Sequence, residues 1–221
     1  MQDHIARRYA LFALGLTAIA FGVVIVTKAD LGTSPITSVP YSLSLISDAI
    51  SFGAWTIVFN FVLIALQFVL IGKEAKKLNP LMQVVLSFVF GYLIDLIMAA
   101  FSWFEPSFYP LRIACVVLGC FIIAFGVYLQ ILGAVAMLPG DAFVLAVKMR
   151  TKAEYGRVRV TNDISLVAIS LVICLAFLGD FGGVREGTVI CAATVGLIVR
   201  LYNKRLSRLS GFLLPSKDPK S

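Results

Sequence analysis

The stretch IAFGVVIVTKADLGTSP, residues 19–35, decides the fold. An apolar run ends in a lysine and an aspartate, and a Thr-Ser-Pro sequence then begins a new helix, since proline is favoured in the first helical turn. The stretch IAFGVYLQILGAVAMLP, residues 123–139, repeats this pattern 104 positions later. A chain that contains the same interrupted helix twice is predicted to be an internal duplication.

The composition is that of a membrane protein. The chain has 221 residues, of which 60% are hydrophobic and 14% charged, and its mean hydropathy is +0.96. A soluble domain of this length cannot bury so much apolar surface, so lipid must solvate part of it. Apolar stretches of about 20 residues match the thickness of the hydrocarbon core. Six such predicted spans cover residues 9–28, 53–72, 81–102, 112–134, 161–179 and 187–202.

The basic residues indicate the orientation, because Lys and Arg concentrate in cytoplasmic loops. With six spans and both termini in the cytoplasm, sixteen of the 19 basic residues lie inside, and only Lys28, Arg112 and Arg185 lie outside. The net charge of +7 is therefore explained by the membrane topology, and nucleic-acid binding loses its main support.

Segments 35–50 and 137–149 are too short or too polar to span the membrane, so we predict that both are re-entrant half-helices.

Each half of the chain follows one order: a span, a break with proline, a half-helix and two more spans. Because each half contains three full spans, an odd number, the second half must enter the membrane in the opposite orientation to the first. We therefore predict an all-α polytopic membrane protein with six transmembrane helices, two re-entrant half-helices and two inverted-topology repeats, a common plan of secondary transporters. Repeat A covers residues 1–103, repeat B covers residues 104–205, and residues 206–221 form a cytoplasmic tail.

Glycines give the alignment of the halves most of its weight, because apolar composition inflates chance matches. Four glycine pairs match at offsets of 103 to 105 residues: Gly15 with Gly119, Gly22 with Gly126, Gly53 with Gly156, and Gly91 with Gly196. In the third span Gln83, Ser87, Gly91 and Asp95 recur every four residues, and the sixth span repeats this stripe as Thr188, Ala192, Gly196 and Arg200.

Polar side chains inside the spans and at the breaks predict the functional site, because a carboxylate at the centre of a span costs about 2.5–3.5 kcal/mol and must face protein or water. The predicted substrate-binding residues are Thr33, Ser34, Asn60, Asp95, Gly140 and Asp141, and the predicted ion-coupling residues are Asp95 and Asp163. Each carboxylate also has a structural interpretation: Asp95 as a bond between helices, Asp163 as a solvated helix-start residue, and Asp141 as a helix cap.

The sequence lacks the residue patterns that are typical of metal sites, cofactor sites and enzymes. The only histidine is His4 and the four cysteines form no CxxC, so neither a metal nor another cofactor is predicted. The sequence contains no GxSxG elbow, paired-carboxylate motif or nucleotide-binding loop, which argues against an enzyme and against ATP-driven transport.

Four stretches carry a family resemblance: TKADLGTSP (27–35), FGYLIDL (90–96), MLPGDAF (137–143) and VREGTVICAATVG (184–196). They resemble the YczE/YyaS/YitT-type bacterial integral membrane proteins, and the similarity extends from about residue 8 to residue 203. The resemblance implies a small protein of the bacterial cytoplasmic membrane. It transfers no catalytic or substrate-binding residues.

The sequence thus favours a secondary transporter that moves a small solute across the bacterial cytoplasmic (inner) membrane by alternating access. Half-helix N-termini that face a cavity favour an anionic solute. Two alternatives stay open: a passive channel or facilitator, and a non-transporting accessory subunit. The expected partners are the solute and the lipid bilayer, with no nucleic acid, and a homo-oligomer is a further alternative.

Overall fold

All regular secondary structure in the part described by the structure, a computed structural model, is helical. That part comprises residues 2–47 and 49–206, with side chains from residue 5 onward, so the predicted tail 206–221 lies outside it except for its first residue. The eight α-helices are α1 (Gln2–Lys28), α2 (Pro35–Ile46), α3 (Phe52–Ile71), α4 (Pro80–Ala100), α5 (Tyr109–Gly133), α6 (Pro139–Thr151), α7 (Tyr155–Phe177) and α8 (Glu186–Arg205), and a 3-10 segment (Gly72–Leu78) joins α3 to α4.

Among the described residues, five stretches are long and apolar enough to cross a membrane. They are Ile5–Lys28, Phe52–Leu78, Pro80–Ala100, Tyr109–Gly133 and Tyr155–Phe177. The sixth predicted span, residues 187–202, coincides with α8, which is not among these five. The multi-pass character of the protein is therefore confirmed, whereas the count of six spans stays a prediction.

The two interruptions lie where the sequence predicts them. Helices α2 and α6 have 12 and 13 residues, and each begins with its proline. At 1.5 Å per residue they are about 18–20 Å long, which is shorter than the roughly 30 Å hydrocarbon core. In the first break Gly32 has φ +96°, and a Cβ there would overlap the Thr188 hydroxyl. Both the backbone conformation and this close contact require glycine.

Helices α1 and α5 pack closely through glycines. A Cβ added at Gly126 would lie 2.6 Å from the carbonyl oxygen of Gly15, and one added at Gly22 would lie 2.9 Å from that of Gly119. Residue numbers rise along α1 as they fall along α5, so the two helices are antiparallel. Small residues allow backbones in membrane helices to approach in this way.

Polar contacts mark the two ends of the α1–α5 pair. At one end Arg112 on α5 forms a 2.8 Å ion pair with Asp30, which follows α1. At the other end the Arg8 Nε donates a hydrogen bond of 2.9 Å to the carbonyl oxygen of Gly133. We call these the Asp30 end and the Arg8 end of the protein.

The other helices surround this pair. Helix α4 packs on α1 and α3, and α8 packs on α5. Both short helices contact α3 and α7, with α2 mainly on α7 and α6 mainly on α3. Helix α3 packs closely on α4, whereas α7 and α8 make little contact. The α3–α4 and α7–α8 pairs therefore pack differently.

Candidate functional site

The first turns of α2 and α6 meet inside the protein. Ile36 follows the proline of α2, and Gly140 follows the proline of α6. A Cβ added at Gly140 would overlap the Ile36 Cδ1 and would lie 3.0 Å from its Cγ1. Gly140, a predicted substrate-binding residue, therefore contacts another helix start, and the two breaks form one region.

Buried hydroxyl groups fill the first break. Thr27 donates a 2.9 Å hydrogen bond to the Thr33 hydroxyl, which lies 3.0 Å from that of Thr37. The Ser34 and Thr37 hydroxyls are 2.7 Å apart, and the Thr33 backbone N–H donates to Thr188 of α8 at 3.1 Å. The predicted residues Thr33 and Ser34 thus belong to a buried network without charged side chains.

Hydroxyl groups also hold α2 against α7. The Ser42 and Ser170 oxygens are 2.5 Å apart, and Ser170 donates to the Ser38 carbonyl oxygen at 3.0 Å. The Cys174 thiol donates to Ser42 at 3.1 Å. These contacts follow the same order on both helices, so α2 and α7 are parallel, and all four side chains are buried. These buried side chains leave no open space between α2 and α7.

Asp95 caps the N-terminus of α3. Its carboxylate accepts hydrogen bonds from the Ser51 hydroxyl at 2.6 Å and from the Gly53 backbone N–H at 2.7 Å. Ser51 in turn accepts a bond from the Ala54 N–H at 3.1 Å. Asp95 therefore has partners, and no hydrogen bond within the described chain links it to Thr33, Ser34 or Asp141. This environment matches the structural interpretation of Asp95 as a bond between helices.

Asn60 lies two turns further along α3. The residue is 7% exposed, and its amide has no hydrogen-bond partner among the described residues. A buried amide without a partner can bind a solute or water. Asn60 therefore keeps its polar groups available, unlike Asp95.

Two carboxylates and one guanidinium group lie together at the start of α6. Arg159 on α7 forms ion pairs with Asp141 of α6 and, at 3.5 Å, with Asp163 one turn further along α7. The Asp163 side chain is 18% exposed, and its Oδ1 is buried without a hydrogen-bond partner. The structure thus brings the predicted residues Asp141 and Asp163 together through an arginine.

A cavity of about 310 Å³ lies beside this cluster. Helix α5, the second break, α6 and the first residue of α7 enclose it. Its polar lining consists of Gln130, Asp141 and Tyr155, and Leu145 and Ala136 are among its apolar lining residues. The Gln130 Nε2 is buried and has no hydrogen-bond acceptor. The cavity lining therefore contains a paired carboxylate and, just beneath its surface, an amide donor without an acceptor.

A groove of about 580 Å³ opens on the other face of α6, between α3 and α7. Its α3 and α6 walls include Leu66 and Phe143 and are apolar except for Thr151 at the end of α6, whereas its α7 wall carries Arg157 and Thr161. Open space thus flanks α6 on both faces.

Sequence reasoning did not place Arg159, Gln130, Gln67 or Gln83 in the site. Arg159 forms an oppositely charged i,i+4 pair with the predicted residue Asp163, a signal that was available in the sequence. Gln130 is the one amide in the second interrupted helix. Gln67 and Gln83 form a buried reciprocal amide pair at 2.9 and 3.1 Å, and Gln67 also donates to the Pro139 carbonyl oxygen at 3.4 Å.

The described residues contain no group of three His, Cys, Asp or Glu side chains that could hold a metal ion. The polar groups around the two breaks are mainly hydroxyls, amides and ion-paired side chains.

Comparisons with known proteins agree with the membrane character. The model of a family described as a family of unknown function, DUF6198, matches residues 6–204. The protein of Bacillus subtilis (strain 168) described as "Uncharacterized membrane protein YczE" is 26% identical over 201 residues, which cover 90% of this chain and 87% of that protein. No solved structure matches the chain. The resemblance to YczE-type membrane proteins is therefore confirmed.

Proposed function

The chain belongs to the DUF6198 family, a family of unknown function, and from the geometry of its two breaks we propose that it is a secondary transporter. It moves a small solute across the bacterial cytoplasmic membrane by alternating access. Two inverted repeats, residues 1–103 and 104–205, form the moving parts, and the solute site lies between the starts of α2 and α6.

Contacts between equivalent residues support the inverted repeats. Ile36 contacts Gly140, which lies 104 positions further along the chain. Residues related by a two-fold axis touch one another only at that axis. Gly15 is equivalent to Gly119, and Gly22 is equivalent to Gly126. A two-fold axis therefore carries the contact between Gly15 and Gly126 onto a contact between Gly119 and Gly22, and both contacts are present.

The observation that carries the proposal is a difference between the two halves. In repeat A the rings of Tyr41 and Phe52 meet edge to face at 5.3 Å, and no space is left between them. The equivalent residues of repeat B, Leu145 and Tyr155, both line the 310 Å³ cavity. One half is thus closed where the other is open, as alternating access between inverted repeats requires.

The distribution of basic residues indicates on which side of the membrane the open cavity lies. The cavity extends toward the Arg8 end: Ala134, just after Gly133, lines it, and so does Tyr155, which follows the last turn of α6 with its Lys148 and Arg150. By the charge rule this end faces the cytoplasm. The present conformation is accordingly open toward the cytoplasm and closed toward the outside, with both termini in the cytoplasm.

The residues that line the cavity indicate which kind of solute it binds. Asp141 already places a carboxylate at the N-terminus of α6, where the helix dipole favours an anion. A simple anion has to compete with this carboxylate. A solute with both a positive group for Asp141 and an acceptor for the Gln130 amide fits the lining better. The free Oδ1 of Asp163 is the candidate site for a coupling proton.

Cysteine accessibility tests the mechanism without knowledge of the solute. Val127 lines the open cavity, and its equivalent Val23 is 1% exposed. Val127→Cys and Val23→Cys would be labelled with a membrane-impermeant maleimide in inside-out and right-side-out vesicles. We expect Val127→Cys to react only from the cytoplasmic side, and an imposed proton gradient to change the two labelling rates in opposite directions.

The other functions give different results. A channel would expose both positions at once, and an accessory subunit would show no response to the gradient; either result contradicts the proposal. A thermal-shift screen with amino acids, amines and small organic acids then identifies the solute class, since ligands of the native state raise its stability. A stabilising compound should lose its effect in Asp141→Asn but not in Asp180→Asn, which changes an exposed carboxylate away from the cavity.

A further inference from the structure

The contact between α3 and α4 shows how one half of the molecule closes. A Cβ at Gly91 would lie 2.6 Å from the carbonyl oxygen of Gly53, so the two backbones touch. Beside this contact, Asp95 of α4 binds Ser51 and Gly53 at the start of α3. A glycine contact and a polar bond thus join the first turn of α3 to α4.

The equivalent glycines of α7 and α8 do not touch. A Cβ added at Gly196 would meet nothing within 4 Å. A Cβ added at Gly156 would meet only the Glu154 carboxylate of its own segment, at 3.9 Å. The start of α7 is therefore separated from α8 at the position where α3 is joined to α4.

The polar residues at the equivalent positions carry opposite charges. At the glycine offsets of 103 and 105, Glu154 corresponds to Ser51 and Arg200 corresponds to Asp95. Glu154 makes only a 3.6 Å ion pair with Arg157, in which both side chains are largely exposed. Arg200 is exposed and has no ion-pair or hydrogen-bond partner among the described residues. An unpaired cation and an exposed anion, paired only with Arg157 of its own segment, thus occupy the positions where repeat A has its polar bond.

We propose that Glu154 and Arg200 form the ion pair of a cytoplasmic gate, which closes when Gly156 packs against Gly196. We define this gate as residues 154–156 of α7 and 196–200 of α8. Its closure moves Tyr155 toward Leu145, as Phe52 lies against Tyr41, and so removes the 310 Å³ cavity. The gate rests on the alternating access proposed above, and it assigns that motion to named residues.

Cross-linking tests the closed gate directly. The variant Glu154→Cys/Arg200→Cys, in a chain whose four native cysteines are replaced by alanine, would be treated in membranes with copper phenanthroline and then with a polyethylene-glycol maleimide, which shifts free thiols on a gel. We expect protection of both cysteines in most of the protein. The control pair Glu154→Cys/Val189→Cys uses an exposed α8 residue near the opposite end of the helix and should stay fully reactive. Equal reactivity of the two pairs would overturn the gate.

Charge exchange tests the ion pair in a protein without the cross-link. The reporter is the cytoplasmic labelling rate of Val127→Cys. Arg200→Glu should raise it by about two- to fivefold, the effect of losing one exposed ion pair, and adding Glu154→Arg should restore it. Arg205→Glu at the end of α8 serves as the matched control and should leave the rate unchanged. Equal rates in all variants would refute the ion pair.

The two proposals fail separately. If Val127→Cys and Val23→Cys respond reciprocally to the gradient but the gate cysteines never cross-link, the gate is wrong and the transporter stands. If the gate cysteines cross-link but accessibility never alternates, the gate closes and the transporter proposal is wrong.

Discussion

Replacing Gly53 with alanine tests the close contact between α3 and α4. A Cβ at this position would overlap the Gly91 carbonyl oxygen and would lie 2.6 Å from the Asp95 carboxylate. A rotamer change cannot move a backbone carbonyl, so α3 and α4 must separate. Overpacking of this kind costs about 1–3 kcal/mol, sometimes more, and the alanine recovers at most about 1 kcal/mol of helix propensity. We expect a net destabilisation of about 2 kcal/mol.

Gly156→Ala is the matched control, because Gly53 and Gly156 are each the second residue of a helix. Their helix propensities therefore cancel in the comparison, and only the contact differs. For a chain of this size 1 kcal/mol corresponds to about 2–4 °C. The Tm of Gly53→Ala in detergent, read by fluorescence-detected size exclusion after heating, should fall by about 4–8 °C, whereas that of Gly156→Ala should stay or rise slightly. Equal Tm values for the two variants would refute the difference in packing between the two halves.

Three further results are expected. The Cys120 and Cys191 sulfurs are 3.1 Å apart, so copper phenanthroline should join α5 to α8 by a disulfide, seen by mass spectrometry as one linked peptide pair; two separate thiol peptides would contradict this contact. Ser42→Ala removes a buried 2.5 Å hydrogen bond, which should cost about 1 kcal/mol and raise the labelling rate of Val23→Cys from outside; an unchanged rate would show that the bond does not hold α2 closed. The exposed positions Lys76→Cys and Ser107→Cys should react with an impermeant maleimide from the cytoplasmic and outer sides respectively, and the reverse pattern would invert the topology.

The helices were predictable because their signals are local. Apolar runs of span length end at proline, glycine or charged residues, so the predicted spans overlap all six long helices. The short helices begin at Pro35 and Pro139 as predicted. Helix α8 falls short of the hydropathy of a span because Arg200, Lys204 and Arg205 lie in its second half. Composition and the residues at turns thus predict most of the helix boundaries.

The partners of the polar residues were not predictable, because they depend on how helices pack. The sequence shows that Asp95 lies deep in a span, but not that the Gly53–Gly91 contact brings the start of α3 beside it. In the same way Arg159 joins Asp141 to Asp163 only because α6 folds back against α7. Depth in a span can be read from one helix, whereas a hydrogen-bond partner requires the positions of two.

The two short helices differ in the residues that hold them. The Ser42 hydroxyl of α2 is hydrogen-bonded to Ser170, whereas the equivalent residue of α6, Ala146, has no side-chain hydrogen-bonding group. One buried hydrogen bond at about 1 kcal/mol biases a two-state equilibrium by about fivefold. Helix α6 is held instead by the ion pair of Asp141 with Arg159 and by the Gln67 bond to the Pro139 carbonyl oxygen. In the proposed transporter this difference favours closure on the α2 side, and a proton or a charged solute changes the strength of the Asp141 ion pair.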